Sequence, residues 1–301
     1  MDLRRLEVFS KVAELGSFSR AAQALSLTQP TVSEHVRALE DELGVQLLDR
    51  LGRGAVTTRA GTLLLAYAQR MIALAREARQ AIDQFQGRLS GELLVGGSTI
   101  PGDYVLPALI GQFKAKQADI SITLLIGDSR EVSQWIDDGR VELGVVGARP
   151  TQRALDARTL MPDELVVVVG ANDPWAGRDT ITLHDIQAQP MVLRERGSGS
   201  RDAFERVLDH AGQSLSSFRV VGEMGSTQAI KQAVRAGVGI SVISRLAIED
   251  ECGAGHLRAL AIDGATISRA FYLVTHRERT RSPLAAAFLI FLESQFPAPV
   301  S

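Results

Sequence analysis

Residues 17–43, SFSRAAQALSLTQPTVSEHVRALEDEL, constrain the fold of this chain more than any other stretch. Their pattern predicts two short helices joined by a tight turn. The first covers 18–25, with Ser17 or Ser19 as N-cap, because a hydroxyl there satisfies an otherwise unpaired amide. Ala21, Ala22 and Leu25 form its inward stripe, and the small side chains of Ala21, Ala22 and Ala24 admit a closely packed neighbour. Ser26, Leu27, Thr28 and Gln29 make the turn, with Thr28 or Gln29 capping the second helix. Pro30 suits the first position of that helix, where a missing N–H costs nothing. Val32, Val36, Leu39 and Leu43 recur at helical spacing and are expected to face inward. Gln29, Thr31, Ser33, Glu34 and Arg37 then lie on or near the outward face, and these residue types hydrogen-bond to base edges and phosphates. Spacing alone also fits an αα-hairpin inside an ordinary helical domain.

The wider string narrows that choice. FSRAAQALSLTQPTVSEHVRALEDELGVQLLDR closely resembles the winged helix-turn-helix of LysR-type transcriptional regulators. Its A-A-x-x-L, Q-P-x-V-S and L-E-x-x-L-G-x-x-L elements stand at that family's spacing. The resemblance implies that the segment from Pro30 to Arg37 enters a DNA major groove. Gln29 and Thr31 would approach bases, and Ser33 and Thr28 a phosphate. Glu34 departs from the basic or neutral residue found at this place in relatives; a carboxylate repels phosphate but accepts from a cytosine amino group.

Bulk properties bound the rest. The 301 residues suffice for two or three domains, and with 45% hydrophobic and 23% charged residues the chain is of the globular kind. A net charge of −2 gives no global attraction to nucleic acid. The first sixty residues do not change this, since their eight basic residues are matched by eight acidic ones. Affinity for DNA must therefore come from a few placed contacts and from two copies acting together. Cys252 is the one cysteine, which excludes an intrachain disulfide and a cysteine-cluster metal site. The charged start MDLRRLEVFSKVAELG is not a signal peptide, and no run approaches the roughly 20 apolar residues of a membrane span. A cytoplasmic protein is the expectation.

Along the chain, 3–15 reads as an amphipathic helix with Leu6, Phe9, Val12 and Ala13 on one face, ended by Gly16. After Gly44, residues 45–50 and 55–57 read as two short strands around an LGRG loop, the wing, with Arg53 at its tip. Beside the helix pair, and given the resemblance, Arg53 is expected in the minor groove. From Thr58 to about Leu89 a single helix is predicted. Leu64, Met71, Ala78 and Phe85, with Tyr67, Leu74 and Ala81, form a heptad seam on it. The resemblance makes this a linker helix that pairs with the same helix of a second subunit, giving a homodimer or homotetramer.

From Glu92 the periodicity changes to short β-like runs: LLVGGS, ISITLLIG, VELGVVG, ELVVVVG, PMVLRE, FRVVGEM, VGISVIS and AFYLVTH. Helices are predicted between several of them, at 103–116, 131–138, 201–211, 227–235 and 283–296. Alternation of this kind argues for parallel sheets with helix-covered faces. The resemblance supplies the arrangement. A winged helix-turn-helix domain at 1–58 and the linker helix at 59–90 precede an α/β effector domain at 91–301. That domain has two Rossmann-like subdomains, as in a periplasmic solute-binding protein: subdomain I at 91–162 and 269–301, subdomain II at 163–268.

Three strand-to-helix junctions are rich in donors: GGSTIPGDY, RERGSGSRD and GSTQ. Amides at a helix N-terminus, aided by the helix dipole, favour an anion. With the family placing such positions in the cleft, the candidate effector-binding residues are Ser98, Thr99, Gly147, Arg194, Gly197, Ser198, Gly199 and Thr227. The expected ligand is a small anionic metabolite. No metal or other cofactor is expected. The STIPGDYVLP run is also similar to the branch of the family that regulates sulfur assimilation and carbon fixation.

Enzymatic readings find little support. There is no G-x-S-x-G elbow or G-x-G-x-x-G fingerprint, and the five histidines show no H-E-x-x-H spacing. A solute-binding-protein-like carrier or sensor without DNA binding accounts for the C-terminal two-thirds but leaves the first ninety residues unexplained. A sequence-specific regulator, bound to double-stranded promoter DNA and modulated by a small anion, accounts for both parts.

Overall fold

A computed structural model describes residues 2–51, 54–85, 91–117 and 119–296. The chain divides into an N-terminal and a C-terminal unit. In the first, α1 (Leu3–Leu15), α2 (Phe18–Ala24) and α3 (Gln29–Leu43) are followed by the hairpin strands β1 (Leu48–Leu51) and β2 (Gly54–Thr57), then by α4 (Arg59–Phe85). The caps explain the boundaries. Ser17 Oγ accepts from the Arg20 amide and Thr28 Oγ1 from the Thr31 amide, each at 3.4 Å. Gly16 and Gly44 end α1 and α3 with φ of 61° and 67°, which side chains rarely tolerate. Leu6, Phe9, Val12, Ala21, Ala22, Val32, Val36 and Leu39 are buried together with Leu47, Leu48 and Ala55 of the hairpin. Glu40 fastens the hairpin to α3: one carboxylate oxygen accepts from the Leu47 amide at 2.8 Å and the Leu48 amide at 3.2 Å. Thr58 caps α4 by accepting from the Gly61 amide at 3.0 Å.

Three expectations for this unit need correction. Leu43 is 41% exposed, although it continues the spacing of the buried Val32, Val36 and Leu39. Pro30 is the second residue of α3, not the first, since Gln29 already has helical backbone after the Thr28 cap. Leu64 does not belong to an outward seam; with Leu65, Ala68 and Ile72 it packs on the N-terminal core. The outward apolar residues of α4 are instead Leu63, Tyr67, Met71, Leu74 and Ile82.

The C-terminal unit opens with β3 (Gly91–Ser98), a π-helical turn (Pro101–Val105), α5 (Leu106–Lys116), β4 (Ile120–Gly127), α6 (Ser129–Asp138) and β5 (Leu143–Val146). Next come the long β6 (Leu155–Gly170), β7 (Thr180–Ile181), α7 (Leu183–Ala188), β8 (Met191–Arg194), α8 (Gly199–His210), β9 (Val220–Met224) and α9 (Thr227–Arg235). The chain finishes with β10 (Ser241–Ser244), α10 (Glu249–Gly253), β11 (Leu257–Ile262), β12 (Ile267–His276) and α11 (Pro283–Gln295).

The strands form a mixed sheet, not the parallel sheets that alternation suggested. Its order is β4-β3-β5-β12-β6-β11-β7, with β10 also paired to β6 and a separate β8-β9 pair. β3 runs parallel to β4 and β5, whereas β12, β10 and β11 run antiparallel to their neighbours β5 and β6. The antiparallel pair β6 and β12 joins two lobes. At one end Leu155 and Val274 share a core with Val132, Ile136, Val141 and Val146. At the other, Leu165 and Ile267 share a core with Met191, Leu193, Phe204, Leu208 and Val242. Phe113 of α5 packs edge-on to Phe288 of α11, with ring centres 5.0 Å apart, and closes the first lobe.

Candidate nucleic-acid interface and ligand cleft

In the N-terminal unit, burial splits α3 lengthwise. Val32, Val36 and Leu39 are buried, while Thr28, Gln29, Pro30, Glu34 and Arg37 are exposed and Thr31 and Ser33 are half-buried. Pro30, Ser33, Glu34 and Arg37 recur at three- and four-residue steps and so share one helix face. Thr28 is already engaged, its hydroxyl lying 2.8 Å from that of Thr31 besides capping the helix. The β2 strand is tied to the end of α1, where the Ala55 amide donates to the Gly16 carbonyl at 2.9 Å. The wing-tip residue Arg53 lies outside the described residues.

In the C-terminal unit, the carboxyl ends of the parallel pair β3 and β5 and of β8 in the other lobe lie near the N-termini of α6 and α8. Ligands gather at such strand ends in open α/β sheets. A chamber of about 10 Å³ lies there, lined by Ser98, Thr99, Ile100, Asp128, Ser129, Arg194, Ser198, Gly199, Ser200 and Arg269. The lobes meet so closely that a Cβ on Gly199 would come within 2.6 Å of the Gly147 backbone, and one on Gly197 within 2.7 Å of Asp128 Oδ2. Gly197 has a φ of 103°, which glycine alone accepts readily.

All eight cleft residues expected from the sequence lie in or beside this junction, but several are engaged within the protein. The Gly147 amide donates to Ser98 Oγ at 3.0 Å and Ser129 Oγ at 3.2 Å. Arg194, 5% exposed, makes a side-on ion pair with Glu195, through Nε at 2.8 Å and Nη2 at 2.6 Å. Its Nη1 donates to Thr227 Oγ1 at 2.8 Å and its Nη2 to Thr99 Oγ1 across the cleft at 3.0 Å. Ser198 precedes α8 without capping it, so the first amides of that helix keep no side-chain acceptor from Ser198. Arg201 turns away: it pairs with Glu205 and Glu223 at 2.8 and 2.6 Å.

Sequence reasoning missed the floor and the side of the cleft. Arg269 of β12 and Asp163 of β6 face each other in register and pair at 2.7 Å with almost no exposure. Ser244 completes this buried group by donating to Asp163 Oδ1 at 2.6 Å. Burial holds the Arg269 guanidinium below its ordinary pKa, against the pull of Asp163. At the side, Lys231 of α9 reaches across to the Tyr104 hydroxyl at 3.1 Å and pairs with Glu251 at 2.5 Å. Burial alone would lower the pKa of Lys231; its hydrogen bonds to Glu251 and Tyr104 reverse that, leaving it raised. Charged residues inside apolar runs are the signal that was available for Arg269, in ISRAFYLV.

A winged helix-turn-helix followed by a two-lobed ligand-binding fold defines a ligand-responsive DNA-binding protein. The helix-turn-helix model of the bacterial regulatory lysR family matches residues 3–62, and the LysR substrate binding domain matches residues 86–297. The chain belongs to the LysR family of DNA-binding transcriptional regulators. It is 36% identical over 296 residues to the RuBisCO operon transcriptional regulator of Allochromatium vinosum, spanning 98% of this chain and 96% of the relative. Crystalline CbnR, a LysR family transcriptional regulator, superposes with a TM-score of 0.73 over 99% of this chain and all of that one, at 23% identity. The regulatory domain of Synechocystis PCC6803 CcmR, in complex with 2-PG, matches 70% of this chain and 99% of its own length, with a TM-score of 0.64 and 27% identity.

Proposed function

We propose that this regulator senses a small anion in the cleft between the two lobes and acts on carbon-fixation genes, in the compartment that holds the chromosome. The observation that carries the ligand class is the chamber wall. Hydroxyls of Ser98, Thr99, Ser129, Ser198 and Ser200, two buried arginines and the start of α8 all meet there. Donors so gathered suit an oxyanion. The 2-PG held by the CcmR domain is in keeping with this ligand class. Ser98, Thr99, Gly147, Arg194, Gly197, Ser198, Gly199 and Thr227 form the site, some by contact and some by shaping the backbone around it. Subdomain limits near 162–163 and 268–269 belong to the same reading, since β6 and β12 cross between lobes there.

On DNA, the exposed edge of α3 enters the major groove. Gln29 and Thr31 approach bases, Ser33 and Thr28 a phosphate, with Pro30, Glu34 and Arg37 on the same face and Arg53 in the minor groove. The apolar row Tyr67, Met71 and Leu74 of α4 pairs two copies, and two recognition helices then meet a dyad site. Calorimetry of the full-length protein against inorganic phosphate, sulfate and acetate, with neutral sugars as controls, tests the ligand class. Heat with the anions is expected; heat with the sugars alone overturns the anionic reading. Retardation of promoter fragments at low salt tests the DNA face, and indifference to every fragment overturns that part.

A further inference from the structure

The two arginines of the cleft are not equivalent. Arg194 is the one that its loop advertises, yet three of its nitrogens already serve Glu195, Thr227 and Thr99. Four of its five N–H groups are so taken, which leaves one on Nη1, and an anion that seeks the paired Nε and Nη2 edge must displace the bidentate carboxylate of Glu195. Arg269 differs. Its Nε is committed to Asp163, but its Nη2 is buried and, among the described residues, has no hydrogen-bond partner. A buried, charged N–H left unpaired is costly, so a structure that keeps one has a use for it.

We infer that Arg269 is the residue that takes the effector's anionic oxygen, and that Arg194 and Glu195 serve as a pre-paired wall beside it. This assignment rests on the reading of the cleft as an anion site. Three further observations support it. The Arg269 guanidinium packs over Gly147, where a Cβ would come within 2.7 Å of Nη1, so only glycine leaves room for the side chain at this point. Among the described residues, Ser98 and Ser129 use their oxygens to accept from the Gly147 amide, which leaves their hydroxyl hydrogens to point at an incoming acceptor. The first amides of α8, uncapped by Ser198, lie on the opposite wall.

The place of Arg269 in the fold gives the contact a consequence. It sits on β12 opposite Asp163 of β6, in the strand pair that joins the lobes. An oxygen bound to Nη2 would touch the first lobe through Ser98 and Ser129, the second through α8, and the joining strands through Arg269. One oxyanion group thereby pins all three parts. The chamber of about 10 Å³ accepts no more than a water-sized group as it stands, so a terminal carboxylate or phosphoryl group enters only as the lobes part.

The test uses the full-length protein, with inorganic phosphate and acetate as probes, in Arg269→Lys and Arg194→Lys. Lysine keeps a cation for Asp163 but loses the second nitrogen arm. Arg269→Lys is expected to weaken probe binding at least tenfold, and Arg194→Lys less than threefold. Phosphate dependence on Arg269 assigns a phosphoryl terminus, acetate dependence a carboxylate one, and either supports the inference. Should Arg269→Lys not fold, the Asp163→Asn/Arg269→Gln double variant keeps a paired, neutral group in the same space and is expected to lose probe binding as well. A loss confined to Arg194→Lys, or unchanged binding in the double variant, overturns the assignment. Wild-type protein that gives no heat with either probe overturns the anion-cleft reading itself.

Discussion

Gly199→Ala is the sharpest probe of the closed cleft. The added Cβ would lie 2.6 Å from both the carbonyl carbon and oxygen of Gly147, whereas ordinary contact begins at 3.4 Å. Both obstacles are backbone atoms, one lobe pressing on the other, so no side chain can swing aside. The lobes must separate locally by 0.8 Å. A displacement of that size along the 3.0 Å bond from Arg194 Nη2 to Thr99 Oγ1 would take it beyond hydrogen-bond range. Overpacking of this kind costs about 1–3 kcal/mol. For a unit of roughly 200 residues, that lowers the melting temperature by about 3–10 °C. Differential scanning calorimetry reads the loss, and hydrogen exchange reads faster opening around β3 and the start of α8. A variant with wild-type melting behaviour and wild-type exchange would refute the reasoning, since it would mean that Gly199 and Gly147 do not meet in solution.

Other perturbations separate the remaining roles. Gly61→Ala would bring a Cβ to 1.9 Å from the Leu47 carbonyl oxygen, so the wing must detach from α4; circular dichroism melting should fall, and promoter binding should be lost with it. Leu74→Glu, at a side chain 64% exposed on α4, should leave the monomer's melting little changed while sedimentation shows the assembly dissociating. Arg37→Ala should weaken binding to all duplexes alike and reduce the salt dependence by about one phosphate contact, read by titration at several salt concentrations. Glu251→Gln tests the Lys231 pair by its pH dependence. Burial would raise the Glu251 carboxyl, but Lys231, together with a backbone hydrogen bond and the charge of Arg235, more than reverses this and holds it below the ordinary 4.5. The pair therefore stabilises the protein above pH 4.5 and ceases to as pH falls through the lowered value. The melting difference between wild type and Glu251→Gln should be present at pH 7 and vanish in acid.

What the sequence disclosed tracks how local each feature is. The N-terminal unit was legible because Ser17, Thr28, Gly16 and Gly44 mark helix ends through bonds to residues at most four positions away. Leu43 misled because periodicity reports which face of a helix a residue occupies, not whether another side chain covers it there. In the C-terminal unit the apolar runs marked eight strands, but β6 escaped in part. Its centre reads MPDE, and Pro-Asp is a turn signal, yet Pro162 sits in the strand close to the register shift at Phe271 and Tyr272. The Arg269–Asp163 pair was out of reach for another reason: its members are 106 positions apart, and only the crossing of β6 and β12 brings them together.

That crossing also decides how a bound anion can matter at all. A ligand shifts a conformational equilibrium only by the difference in its affinity for the two states. An anion held by Arg194 and the α8 loop alone would bind nearly as well with the lobes apart, because those groups travel together on the second lobe. An anion that needs Ser98 and Ser129 on one side and the α8 amides on the other loses half its partners on opening. With two or three charge-assisted hydrogen bonds at stake, each worth about 1.5–3 kcal/mol, the difference is about 3–9 kcal/mol. A change from mostly open to mostly closed requires about 5.5 kcal/mol. The cross-lobe geometry, and not the affinity of any single arginine, is therefore what makes this cleft able to govern the rest of the protein.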